Sequence, residues 1–247
     1  MENLAQYLDS TYLKLPEQAE ISLEETEKIV FNLVDEAIAH NIFAVMIRPH
    51  FVSKVKQYLS EKNSTVKVGT VIGFHQGTAS QSEKLKEAKK AIEDGADELD
   101  FVMNYEKFLA EGWEAVKEEV LECTQLCIEN QKVAKWIIEI AALTDTQIAE
   151  VTKNIATLVE ENFPENTSKV FVKSSTGFYV TENGKPNGAT VEGIKIMLAN
   201  ARQLPVKAAG GVRNAEEAKV MIDLGVKRIG TSAAKSIVIG ENSLSNY

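Results

Sequence analysis

Lys169-Val-Phe-Val-Lys173-Ser-Ser-Thr-Gly177 reads as a strand that ends on a lysine. It opens onto hydroxyls, backbone N–H groups and a glycine free to turn. Apolar residues at helical spacing flank it, over 145–161 before and 191–202 after. That figure of helix, short β run, turn and helix recurs along the whole chain. Strands are predicted at 43–48, 67–73, 98–104, 135–140, 169–174, 206–209 and 228–232, with a weaker first at 7–13. Amphipathic runs at 23–40, 51–61, 81–93, 113–129, 145–161, 191–202 and 215–224 separate them. Ser22 with Glu25 forms a capping box, Thr144 and Asn214 are N-cap residues, and Gly95 and Gly225 close helices. Strict βα alternation demands a parallel sheet. Eight strands in a chain of this length favour a single-domain (β/α)8 barrel spanning 1–247 over an open doubly wound sheet. A short N-terminal helix would precede it, and a C-terminal tail would follow. No G-x-G-x-x-G or P-loop pattern follows any strand, which weakens a nucleotide-binding reading.

The 247 residues are 44% hydrophobic with a net charge of −9, so neither nucleic acid nor an acidic membrane surface is an expected partner. Cys123 and Cys127 fall four apart on one helix and are expected as free thiols. No apolar run marks a signal peptide or a membrane span, and the cytoplasm is the expected compartment.

The two-residue period of a strand sorts its side chains. In a barrel the apolar face turns out to the helices, so the polar face turns into the lumen. That rule sends Asp100, Lys135, Glu139, Lys173 and Lys207 inward from four successive strands. Charges in such an interior are costly unless paired, so three lysines and two acids there mark a site. A structural ion-pair network is the competing reading. A lysine is a nucleophile only when neutral, and desolvation and a nearby ammonium both favour that form. Lys173 beside Lys207 meets both conditions and suits Schiff-base formation with a carbonyl. Asp100 and Lys135 would move protons, and Glu139 would hold the lysines in place.

Two later turns suit an anion. Ala209-Gly-Gly-Val-Arg213 leads into a helix, and Ile229-Gly-Thr-Ser-Ala233 closes the eighth strand. The glycines at 210 and 211 let backbone N–H groups approach a phosphate, Arg213 would add a charge, and the loops after strands 7 and 8 are the usual phosphate site of barrel enzymes. His40, His50 and His75 are scattered, so neither a metal nor another cofactor is expected.

Segments along nearly the whole chain carry a resemblance: Leu8-Asp-Ser-Thr-Tyr-Leu-Lys14, Gly69-Thr-Val-Ile-Gly-Phe-His-Gln-Gly77, Gly95-Ala-Asp-Glu-Leu-Asp100, Lys135-Trp-Ile-Ile-Glu139, Val172-Lys-Ser-Ser-Thr-Gly177, Lys207-Ala-Ala-Gly-Gly-Val-Arg213 and Arg228-Ile-Gly-Thr-Ser232. With these, the sequence resembles the deoxyribose-phosphate aldolase family of class I aldolases. The resemblance implies a TIM barrel and reversible cleavage of 2-deoxy-D-ribose 5-phosphate to acetaldehyde and D-glyceraldehyde 3-phosphate. It implies that Lys173 forms the Schiff base, Lys207 tunes it, Asp100 transfers protons and Lys135 assists. It implies a phosphate site at Gly177, Gly210, Gly211, Arg213, Gly230 and Ser232, and Thr11 as a supporting residue. A phosphorylated sugar or aldehyde is then the ligand, and a homodimer the implied assembly. Some relatives end in a catalytic tyrosine. Tyr247 would act as a proton relay over the site, and its deletion would slow proton exchange on the acetaldehyde methyl. Another class I aldolase with a different phosphorylated sugar, and a non-catalytic phosphosugar-binding barrel, remain as alternatives. Met46, Arg48, His75, Ala233 and a lengthened loop at 178–189 depart from the family pattern and bear on substrate preference.

Overall fold

The computed structural model describes residues 4–182 and 184–240. A 3-10 turn at Leu4–Tyr7 leads into eight strands: β1 (Leu8–Thr11), β2 (Ala44–Ile47), β3 (Lys67–Ile72), β4 (Glu98–Val102), β5 (Val133–Ile137), β6 (Val170–Lys173), β7 (Val206–Ala209) and β8 (Arg228–Thr231). Each pairs in parallel with the next, and β8 pairs with β1, so the sheet closes into a barrel. Among the described residues ten helices surround it: α1 (Pro16–Ala19) and α2 (Leu23–Ala39) follow β1, and α3 (Val52–Glu61) and α4 (Gln81–Glu93) follow β2 and β3. The connection after β4 carries α5 (Tyr105–Glu111) and α6 (Lys117–Glu129). After the last four strands come α7 (Asp145–Asn162), α8 (Val191–Asn200), α9 (Ala215–Leu224) and α10 (Ala234–Ile239). The (β/α)8 expectation holds strand for strand.

Six of these helices, α2, α4, α5, α7, α8 and α9, start where a side chain accepts from one of their first N–H groups. The expected capping box Ser22–Glu25 opens α2, and Thr144 with Gln147 opens α7. Asn214 caps α9, which closes on Gly225 at φ +115°. Outward residues of the strands and inward faces of the helices form the main core. Trp136 illustrates it: its ring stacks on Phe101 at 5.0 Å, and its indole N–H donates to Thr124 of α6 at 2.9 Å. Cys123 and Cys127 are buried there as free thiols. Among the described residues no helix is long and apolar enough to cross a membrane.

Three of the departures from expectation have a local reason. The single helix expected at 113–129 is preceded by the unpredicted α5, and Gly112, at φ +83°, separates the two. β4 stops at Val102 because the Asn104 side chain turns to cap α5, accepting from the Lys107 N–H at 3.0 Å. β5 stops at Ile137 because Glu139 adopts a left-handed backbone at φ 57°.

Candidate active site

The lumen holds a column of seven charged side chains, all nearly inaccessible to water. Register places them. Asp100 of β4 lies opposite Lys135 of β5, Lys173 of β6 opposite Lys207 of β7, and Lys207 opposite Arg228 of β8. At one end the Arg228 guanidinium lies 3.5 Å from the centre of the Phe43 ring and 5.8 Å from that of Phe171. It donates to Asp9 and, at 2.6 Å, to Glu98. Lys135 reaches Glu98 at 2.6 Å and Asp100 at 3.0 Å. Lys207 bridges Asp9 and Asp100, the latter at 2.9 Å. Lys173 donates 2.8 Å to the same Asp100 oxygen and has no other carboxylate partner among the described residues.

Four cations therefore share three carboxylates. Burial alone would push the Asp100 carboxyl up, but the ammonium groups of Lys135, Lys173 and Lys207 outweigh it and hold it well below the usual range. Asp9 is held low in the same way, burial being overcome by Arg228, Lys207 and Lys135. Lys135 has burial against it, yet Asp100, Glu98 and Asp9 raise it above an ordinary lysine. Lys173 goes the other way. Burial lowers its ammonium pKa to about 8, Asp100 opposes this, and Lys207 and Lys135 add to it. The excess positive charge of the column thus falls on Lys173.

Above Lys173 a cavity opens between the loops after β6, β7 and β8. Lys173 is the one member of the column that lines it. Thr11, Leu13, Thr176 and Phe178 form its near walls. Its far side carries all six residues read as a phosphate cradle: Gly177, Gly210, Gly211, Arg213, Gly230 and Ser232. Backbones meet here without side chains between them. A Cβ on Gly188 would lie 2.5 Å from the Gly210 carbonyl carbon, and Gly210 itself sits at φ +77°. Gly230 also leaves space for Lys207, since a Cβ there would lie 3.1 Å from its Cε.

Lys173, Lys207, Asp100 and Lys135 thus converge as expected. Thr11 sits at the cavity wall, its hydroxyl donating to the Asp9 carbonyl at 2.9 Å. Glu139 does not hold the lysines. Its left-handed backbone turns the carboxylate to Thr176, whose N–H donates at 3.2 Å and whose hydroxyl donates to the same oxygen. The other carboxylate oxygen is buried with no hydrogen-bond partner among the described residues. Burial pushes this carboxyl up to about 7 against those two bonds and the charge of Lys173. Tyr247 lies outside the described residues. Asp9, Glu98 and Arg228 complete the column without having been enlisted from the sequence. Asn187, in the lengthened loop, also lines the cavity and donates to the Gly177 carbonyl at 3.2 Å. His75 stacks on Phe178 at 5.5 Å, at the edge of a small apolar cluster of Leu13, Met46, Val71, Phe74 and Phe178. Arg48 packs over Phe74 there, 4.8 Å from the ring centre, and its Nε donates to the Leu13 carbonyl at 2.7 Å.

The family model described as DeoC/LacD family aldolase matches residues 4–246. A deoxyribose-phosphate aldolase of Thermococcus kodakarensis is 37% identical over 96% of each chain. Deoxyribose-phosphate aldolase 1 of Vibrio vulnificus is 39% identical over 90% of this chain and 93% of its own. Among solved structures, the tetrameric deoxyribose phosphate aldolase of Aeropyrum pernix superposes with a TM-score of 0.77 at 30% identity, covering 96% of this chain and 89% of that one.

Proposed function

The chain belongs to the DeoC/LacD family of aldolases, and we propose that it reversibly cleaves 2-deoxy-D-ribose 5-phosphate to acetaldehyde and D-glyceraldehyde 3-phosphate through a Schiff base on Lys173. One observation carries this reading: the lysine that lines the cavity is also the one whose ammonium pKa burial lowers to about 8, whereas its buried neighbour Lys135 is raised. At pH 7 about a tenth of it is neutral, against about 0.03% for an ordinary lysine.

The neutral amine adds to the C1 aldehyde, and loss of water gives an iminium. The iminium draws electrons from the C2–C3 bond as the C3 hydroxyl loses its proton. That bond breaks, releasing the phosphorylated aldehyde and leaving an enamine. Protonation at C2 and hydrolysis then free acetaldehyde and restore the amine. Asp100, 2.8 Å from the reacting nitrogen, is the carboxylate placed to take and return protons there. Lys135 and Lys207 hold its two oxygens. The phosphate lies on the backbone of the Gly177, Gly210–Gly211 and Gly230–Ser232 turns, with Arg213 supplying charge.

The wider reading includes 1–247 as one aldolase domain. It also includes a cytoplasmic location and a homodimeric assembly, which light scattering on the purified protein distinguishes from a tetramer.

Incubation with acetaldehyde followed by borohydride reduction and digestion tests the core of the proposal. The adduct is expected on Lys173, and Lys173→Leu is expected to abolish both adduct and turnover with the fold retained. An adduct mapping to another lysine, or turnover in that variant, overturns it.

A further inference from the structure

The charge count of the column raises a question that the reactive end alone does not answer. Four cations face three carboxylates, and the unmatched charge has to fall somewhere. Asp9 gives one carboxylate oxygen to Arg228 and the other to Lys207, with Lys135 at 3.4 Å from the latter; Glu98 gives one oxygen to Arg228 and the other to Lys135, with a second Arg228 nitrogen 3.5 Å from the latter. Each acid is thus divided between a cation that cannot lose its proton and lysine ammonium groups that can. The lysines make up the shortfall from Asp100, whose one oxygen accepts from Lys135 and whose other is shared by Lys207 and Lys173. Lys173 is left with part of one carboxylate.

We propose that Arg228 is a positioning residue for the amine chemistry: by fixing a permanent positive charge on Asp9 and Glu98, it leaves Lys173 as the ammonium short of counter-charge. Arg228 does not touch the cavity. It acts through Asp9 to Lys207 and through Glu98 to Lys135, and from both to Asp100. Its fixing is physical. The guanidinium lies over Phe43, with Phe171 nearby, so it holds its place without a further acid. The groups that face Lys173 are Asp100 from β4, Lys135 from β5, Lys207 from β7 and, by its charge, Glu139 beyond β5. Remove the guanidinium, and three carboxylates face three lysines. Asp9 then serves Lys207 more fully and Glu98 serves Lys135. Asp100 becomes free to hold Lys173 as an ordinary ammonium.

This inference rests on Lys173 being the reactive amine. The test is the pH dependence of borohydride trapping with acetaldehyde, mapped to Lys173, in the wild type and four variants. Arg228→Met is expected to raise the trapping midpoint by about half a pH unit or more. Arg228→Lys, which keeps the charge, is expected to stay near the wild type. Glu98→Gln removes an acid and is expected to lower the midpoint. The double variant Arg228→Met with Glu98→Gln restores an excess of one cation and is expected to return towards the wild-type profile. Should Arg228→Met not fold, the step from Glu98→Gln to the double variant supplies the same upward shift. A loss of melting temperature with the midpoint unmoved in every variant makes Arg228 a structural plug and overturns the inference. Absence of any Lys173 adduct in the wild type instead removes the Schiff-base reading beneath it.

Discussion

Replacing Lys207 with methionine removes one charge and little volume from the channel beside Gly230. Its ammonium stands 2.9 Å from the Asp100 oxygen that Lys173 also uses, at 2.8 Å. The change therefore acts twice on Lys173. A like charge is lost, and the shared oxygen becomes Lys173's own. Both raise its pKa from about 8 back towards the ordinary 10.5. If one to two units are restored, the neutral fraction at pH 7 falls by about 10- to 90-fold. The rate of trapping with acetaldehyde at pH 7 falls with it, while the rate at pH 10 recovers most of its value. Asp9 keeps Arg228 and Lys135 as partners, so the fold has no unpaired acid to lose it. A trapping profile with its midpoint unmoved, or one depressed equally at every pH, refutes the coupling and makes Lys207 either inert or a direct participant.

Gly188→Ala brings a Cβ to within 2.5 Å of the Gly210 carbonyl carbon and forces the loops after β6 and β7 apart. KM for 2-deoxyribose 5-phosphate is expected to rise about tenfold, by the loss of ~1.4 kcal/mol of binding, with KM for unphosphorylated 2-deoxyribose little changed; equal rises for both place the damage outside the phosphate cradle. Glu139→Gln is read by stability. A carboxyl raised from 4.5 to about 7 by burial binds its proton more tightly folded than unfolded. Its contribution is therefore full below about pH 4.5 and is lost as pH rises through 7. The wild type should lose on the order of 3 kcal/mol relative to the glutamine variant between pH 4.5 and 8. Urea unfolding of both proteins across that range checks it, and parallel curves would falsify the raised carboxyl.

The strands were legible as short β-rich runs bounded by turn residues, and β4 to β7 carry their charges on one face only. Parity then found Asp100, Lys135, Lys173 and Lys207 without any three-dimensional information. The same rule misplaced Glu139. Parity presumes extended backbone, and a left-handed residue two positions past the end of β5 breaks it. Asp9 and Arg228 escaped for a different reason. Asp9 falls in the weakest of the expected strands, and Arg228 is the first residue of β8, where alternation has nothing before it to build on. Their pairing also joins residues 219 apart, a contact created only when the barrel closes. Glu98 shares the parity of Asp100 on β4, but its partner Arg228 comes beside it only when the barrel closes. Asn187 belongs to a loop without periodicity, and only the close approach of Gly188 to Gly210 brings it to the cavity.

The two ends of the cavity set opposing electrostatic demands. A phosphate dianion in the same cavity as Lys173 favours its protonated form and works against the neutral amine the reaction needs. A cradle made of lysines would hold the phosphate more strongly but would bring competing amines towards the aldehyde. The far wall instead offers backbone groups at Gly177, Gly210, Gly211 and Gly230, with Arg213 as its cation. An arginine cannot give up its proton and so cannot compete as a nucleophile. Its charge offsets part of the phosphate's pull on the amine. In the column below, the cation that keeps its charge is again an arginine, Arg228, paired with Asp9 and Glu98. Lysine is used where a proton must leave or be passed on, and arginine where charge must stay. That division predicts that Arg213→Lys, unlike Arg228→Lys, adds a second site of acetaldehyde trapping, detectable as a new reduced adduct at position 213. An adduct confined to Lys173 in that variant would show that the cavity selects its amine by position alone.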